Sequence, residues 1–128
     1  MIVWLASYPR SGNTLLRTVF WQTMGLASYS DEPGEAALNT LTETALRATG
    51  KIILDRNWDV FYKEALSSEK VYLIKTHRLP RDNQPAIYIV RDGRNSYLSY
   101  SSFHRKTSPP PHPSLLDLLI GNLSLIHI

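Results

Sequence analysis

Cysteine is absent from the 128-residue chain. That removes disulfides, thiolate chemistry and cysteine-ligated zinc together. Histidine is scarce: His77, His104, His112 and His127 are scattered without the spacing of a metal set. No apolar run approaches the roughly 20 residues that span a bilayer. No basic stretch precedes the apolar start, as it would in a secretory leader, so the expected compartment is the cytoplasm. Charge of one sign is in little excess. The 14 Lys and Arg against 11 Asp and Glu leave a net +3, which suits an anionic ligand without demanding a nucleic acid. Internal repeats are missing too. The length allows one domain, whose core could take about two thirds of the unfolded surface out of water.

What is present is an alternation of short apolar runs and helix-like stretches. Residues 1–7 read as a buried strand ended by Tyr8-Pro9. A helix is predicted over 14–24, opening straight from the loop and stopped by Gly25. Residues 28–36 read as a polar loop. Helices are predicted over 38–48, stopped by Gly50, and over 55–66, with Asn57 as a candidate cap. Val71-Tyr72-Leu73-Ile74 and Ala86-Ile87-Tyr88-Ile89-Val90 read as two further strands, and residues 95–104 as a helix. Ser108-Pro109-Pro110-Pro111-His112-Pro113 reads as a stiff extended segment, with one more helix starting at Ser114. Apolar strands alternating with helices predict an α/β fold around a parallel sheet.

Each of the three predicted strands ends, at its carboxyl side, in cations or hydroxyls. Ligands of open parallel sheets bind outside those ends. After the first strand comes Tyr8-Pro9-Arg10-Ser11-Gly12-Asn13-Thr14, a tight loop that opens a helix. It would aim backbone N–H groups and a helix dipole at a phosphate-like or sulfate-like group. After the second come Lys75 and His77, two apart and so on one side of an extended chain. They pair a fixed cation with a side chain whose ordinary pKa lies near neutrality. After the third comes Arg91, eight residues before Ser99. The pair is placed to hold one anion over the start of the following helix. Tyr97, Tyr100 and Phe103, at helical spacing, read as core.

These segments resemble the sulfotransferases that use 3′-phosphoadenosine 5′-phosphosulfate (PAPS). Residues 8–14 look like that family's 5′-phosphosulfate loop. Ile74-Lys75-Thr76-His77-Arg78-Leu79-Pro80 looks like its Lys-Thr-His-Leu-Pro segment. Val90-Arg91-Asp92-Gly93-Arg94-Asn95 through Ser99-Tyr100 looks like its 3′-phosphate motif. The three stand in the family's order over about residues 3–105. The resemblance implies a P-loop nucleoside-kinase-like three-layer α/β fold with a central parallel sheet, cut short at its C-terminus. It also implies sulfuryl transfer from PAPS to a hydroxyl or amine. By it, Arg10, Ser11, Gly12, Asn13 and Thr14 would hold the 5′-phosphosulfate, and Arg91 and Ser99 the 3′-phosphate. Lys75, with Arg10, would neutralise the moving sulfuryl group, and His77 would take the acceptor's proton. In-line transfer of an anionic group, by analogy with phosphoryl transfer, needs positioning and charge stabilisation more than covalent chemistry. No metal is expected. The expected partner is a small-molecule, glycan or lipid acceptor, with no nucleic acid and no membrane span; oligomeric state is left open.

The chain departs from the family pattern at three places. Arg10 stands where the family often has Lys; it keeps the charge but is a poor proton donor. Leu15 stands where the family often has a Trp that stacks on adenine. The family's glycine-rich basic C-terminal segment has no counterpart. Residues 1–122 are therefore expected to be the N-terminal part of one sulfotransferase domain. Leu123-Ser124-Leu125-Ile126-His127-Ile128 matches the in-frame translation of a common transposase sequencing adaptor and is expected to be foreign. Two other functions compete. A P-loop kinase or NTPase would want Gly-x-x-x-x-Gly-Lys-Ser/Thr and an acidic strand end for magnesium, where this chain's predicted strand ends are basic. An inactive anion-binding fragment is the other.

Overall fold

The computed structural model describes residues 1–32, 43–79 and 81–107. The expectations for residues 33–36 of the polar loop, for residues 38–42 of the second helix, for Pro80, for the proline-rich segment, for a helix from Ser114 and for residues 123–128 lie outside those residues. Among the described residues the order is β1 (Ile2–Ser7), α1 (Asn13–Met24), β2 (Ser28–Ser30), α2 (Glu43–Thr49), α3 (Trp58–Ser67), β3 (Tyr72–Thr76), β4 (Ala86–Ile89) and α4 (Gly93–Thr107). The strands form one parallel sheet in the order β2-β3-β1-β4. This is the expected α/β fold with a central parallel sheet.

One expectation fails. Residues 28–36 were expected to form a loop throughout, yet Ser28–Ser30 is a strand at the sheet edge, with Ser28 opposite Leu73 and Ser30 opposite Lys75. Backbone pairing decides this, because Ser28 also takes the Gly50 carbonyl and gives its own carbonyl to Ile52, both at 2.9 Å. Gly50 has φ +62, and a Cβ there would collide with the Trp21 indole. Glycine is therefore required where α2 returns to the sheet.

Alternation along the strands divides the sheet into two faces. Ile2, Trp4 and Ile74 face α3 and form the core with its buried Phe61 and Ala65. Tyr29, Trp58, Tyr62 and Tyr72 pack around them, with Tyr29 and Phe61 ring centroids 4.6 Å apart. Asn57 caps α3 as expected, its side chain accepting from the Asp59 and Val60 N–H groups. Asp82, between β3 and β4, accepts from Trp4 Nε1 at 2.8 Å, from the Gln84 N–H at 2.9 Å and from the Tyr62 hydroxyl. It thus ties β1, α3 and the β3–β4 connection together.

The other face meets α1, and that contact is polar. The residues α1 buries are Asn13 and Arg17, four apart and so on one side of the helix. Arg17 Nε donates to Ser28 Oγ at 2.7 Å, while Leu15 and Val19 stay 69% and 46% exposed. The helix ends at Gly25, as expected, whose N–H bonds the Trp21 carbonyl at 2.9 Å.

Candidate active site

The parallel sheet brings the carboxyl ends of all four strands to one side, and the loop after β1 lies among them. Residues 8–12 turn sharply: the Ser11 N–H bonds the Tyr8 carbonyl at 3.2 Å, Arg10 has φ +65 and Gly12 φ +104. Positive φ at Arg10 is unusual for a residue with a side chain and marks strain held by its surroundings. Gly12 is the N-cap of α1 and makes no side-chain cap bond. The first N–H groups of the helix are thus left to point into the loop, as an anion site requires. A Cβ at Gly12 would meet nothing within 4 Å, so the space above this turn is open.

The loop side chains are less available than their types suggest. Asn13 is 5% exposed; its Nδ2 donates to the Leu5 carbonyl at 2.8 Å and to Ser7 Oγ at 3.1 Å. Ser11 is 7% exposed and its Oγ lies 3.3 Å from Ser96 Oγ. Both side chains brace the loop against β1 and α4, so their contribution to a ligand falls to backbone N–H groups. Thr14 is exposed in the first turn of α1.

Arg10, Arg91 and Ser99 come together. Arg10 Nε donates to Ser99 Oγ at 3.1 Å, and its guanidinium sits 5.2 Å from the centre of the Phe103 ring. Arg91 Nη1 donates to the Arg10 carbonyl at 3.0 Å. The β1 loop and α4 are therefore clasped by the residues expected to hold the two ends of one ligand. Tyr100 packs edge-on against Tyr8, centroids 6.3 Å apart. Burial first, then the neighbouring Tyr100 and Tyr97, push the Tyr8 hydroxyl above its ordinary pKa.

His77 stands beside the root of the loop, its Nδ1 2.6 Å from the Ser7 carbonyl and 3.3 Å from Ser7 Oγ. A carbonyl can only accept, so Nδ1 carries the proton. In the neutral ring Nε2 then holds the lone pair. Lys75, at the end of β3, has its Nζ donating to Glu32 Oε2 at 2.9 Å, with the two side chains 12% and 29% exposed.

Sequence reasoning missed Asp31 and Glu32. They follow β2 directly, and because that strand was expected as loop, the strand ends were expected to be basic throughout. They are not. Asp31 accepts from Thr76 Oγ1 at 2.9 Å and its N–H bonds the Lys75 carbonyl at 3.1 Å. Burial pushes the Asp31 carboxyl above its ordinary pKa, against the Thr76 bond, which lowers it. The one available signal was an acidic pair immediately after a Ser-Tyr-Ser stretch, too short for a strand pattern. No cluster of three or more His, Asp or Glu placed to hold a metal occurs among the described residues. No helix there is long and apolar enough to cross a membrane.

A parallel α/β sheet with an uncapped helix N-terminus, cations and a histidine at its carboxyl edge has the make-up of an α/β protein suited to an anionic ligand over its strand ends. The sequence matches the family model for the sulfotransferase domain over residues 2–123. The chain belongs to the sulfotransferase domain family and carries the domain of a sulfuryl transferase. No curated protein and no solved structure matches the chain at a significant level.

Proposed function

We propose that the domain transfers a sulfuryl group from PAPS to a hydroxyl or amine on a small molecule, glycan or lipid, in the cytoplasm. The observation that supports this best is the meeting of three separate segments around the α1 N-terminus. His77 lies 2.6 Å from Ser7, Arg91 3.0 Å from the Arg10 carbonyl, and Arg10 3.1 Å from Ser99. The open space at Gly12 and the uncapped helix start suit a phosphosulfate. The residues of 10–14 would hold it mainly through backbone N–H groups, Arg91 and Ser99 would take the 3′-phosphate, and Leu15, which stands where the family often has its adenine-stacking Trp, is exposed.

In this reading His77 Nε2 accepts the proton of the acceptor O–H or N–H as the new bond to sulfur forms. The bond from sulfur to the departing phosphate oxygen breaks at the same time. Lys75 and Arg10 meet the negative charge that grows on the transferred group and on that oxygen. Residues 1–122 are read as the N-terminal part of one such domain and 123–128 as foreign. The DNA of the source gene beyond codon 122 tests that boundary.

The test of function is ligand preference followed by one variant. Calorimetry without magnesium should give tighter binding of 3′-phosphoadenosine 5′-phosphate (PAP) than of ADP. Equal affinities or a magnesium requirement would count against the proposal. In a form of the protein that turns over, His77→Ala should lower transfer by roughly 10²–10⁴-fold, the usual worth of a positioned base, with PAP affinity unchanged.

A further inference from the structure

We propose that Glu32 is a positioning residue, holding the Lys75 ammonium at the end of β3 where the donor's sulfuryl group is met; the inference rests on the donor reading above. Lysine is a point charge on a flexible four-carbon stem, and an unrestrained ammonium at a strand end turns toward bulk water. Here it does not. Lys75 keeps only 12% of its side chain exposed, with its Nζ 2.9 Å from Glu32 Oε2.

The carboxylate that holds it is itself placed by the fold. Three bonds join the end of β2 to the end of β3: Asp31 N–H to the Lys75 carbonyl at 3.1 Å, Thr76 Oγ1 to Asp31 Oδ2 at 2.9 Å, and Lys75 Nζ to Glu32 at 2.9 Å. Alternation sends Asp31 to the face of Thr76 and Glu32 to the face of Lys75. Thr76 Oγ1 also accepts the Arg78 N–H at 3.0 Å, closing a turn over His77. The edge strand β2 thus supports the whole segment that carries both Lys75 and His77. An ammonium has three donors, so a bond to Glu32 and a bond to an anion are compatible. The carboxylate acts as a support and need not be displaced.

The test compares two probes that differ only in the sulfuryl group, PAPS and PAP, by calorimetry on the full chain. Lys75→Ala should weaken PAPS and spare PAP. Glu32→Ala should do the same by roughly tenfold, the order of one lost charge-assisted hydrogen bond. The double variant should bind PAPS no worse than Lys75→Ala alone, because Glu32 acts through Lys75. Glu32→Asp should recover part of the loss. Glu32→Gln, nearly the same shape, reads the same difference if the alanine variant does not fold. PAPS binding that is unchanged or tighter in the Glu32 variants would overturn the proposal, as would additive losses in the double variant. A wild-type chain that fails to bind PAP would instead sink the donor reading itself.

Discussion

Asp82 shows how one carboxylate can hold three parts of a small fold. Burial pushes its pKa up, but the hydrogen bonds from Tyr62, the Gln84 N–H and Trp4 prevail and hold it below its ordinary 3.8. The same bond pushes the Tyr62 hydroxyl up to about 12. A carboxyl with a lowered folded pKa adds stability above its unfolded value, and that share is lost as pH falls through the folded one. Asp31 works in the opposite sense: its folded pKa is raised, so its share is present below 3.8 and is lost as pH rises through the folded value. Thermal melts from neutral pH down to about pH 3 should therefore show Asp82→Asn less stable than wild type at neutrality, with the gap closing below 3.8. A constant gap would mean that the carboxylate charge contributes nothing. Residue types in the candidate site were legible in the sequence, but their directions were not. Asn13 and Ser11 were readable as members of an anion loop, yet both turn inward, because β1 and α4 offer Leu5, Ser7 and Ser96 as partners that no local spacing announces.

At the scale of elements, hydrophobic runs and punctuation carried most of the reading. β1, β3 and β4 are apolar runs of the length a buried parallel strand needs. Gly25 and Asn57 mark a helix stop and a helix cap where the structure has them. β2 escaped because Ser28-Tyr29-Ser30 has a single apolar residue; its identity as a strand comes from neighbours at Leu73 and Lys51, far away in sequence. The polar inner face of α1 escaped for a related reason, since Arg17 bonds Ser28, on the strand that no local pattern announces. The stability of α3 should divide between its cap and its core residue. Asn57→Ala should cost about 1 kcal/mol, as cap losses do, and Phe61→Ala about 3–5 kcal/mol, as for a buried aromatic. Urea unfolding of the two variants measures both. A Phe61 cost no larger than the cap's would show that α3 is loosely packed.

At the scale of the molecule, β4 is the outermost strand on its side of the sheet among the described residues. Ile87 and Tyr88 are 39% and 46% exposed, and Val90 just beyond is 76% exposed. Of these, Tyr88 lines a cavity of about 380 Å³ together with Trp4, Ala6 and Ala86. An apolar strand at a sheet edge is a template for pairing with another chain. The 128-residue chain should therefore self-associate, with an apparent mass in light scattering that grows with concentration. Tyr88→Lys should reduce that growth, and a sharp monomer at all concentrations would refute the expectation.

The placement of β1 at the centre also has a consequence in time. The strand that leads into the loop at residues 8–12 is synthesised before both its neighbours, which are Tyr72 to Thr76 on one side and Ala86 to Ile89 on the other. At ribosomal speeds of about 5–20 residues per second, the 70 residues between Ile2 and Tyr72 take roughly 4–14 s to make. For that interval Ile2 to Ala6 has no neighbouring strand. A nascent chain with this topology should depend on chaperones that bind short apolar peptides, and a slower codon placed before β3 should deepen that dependence.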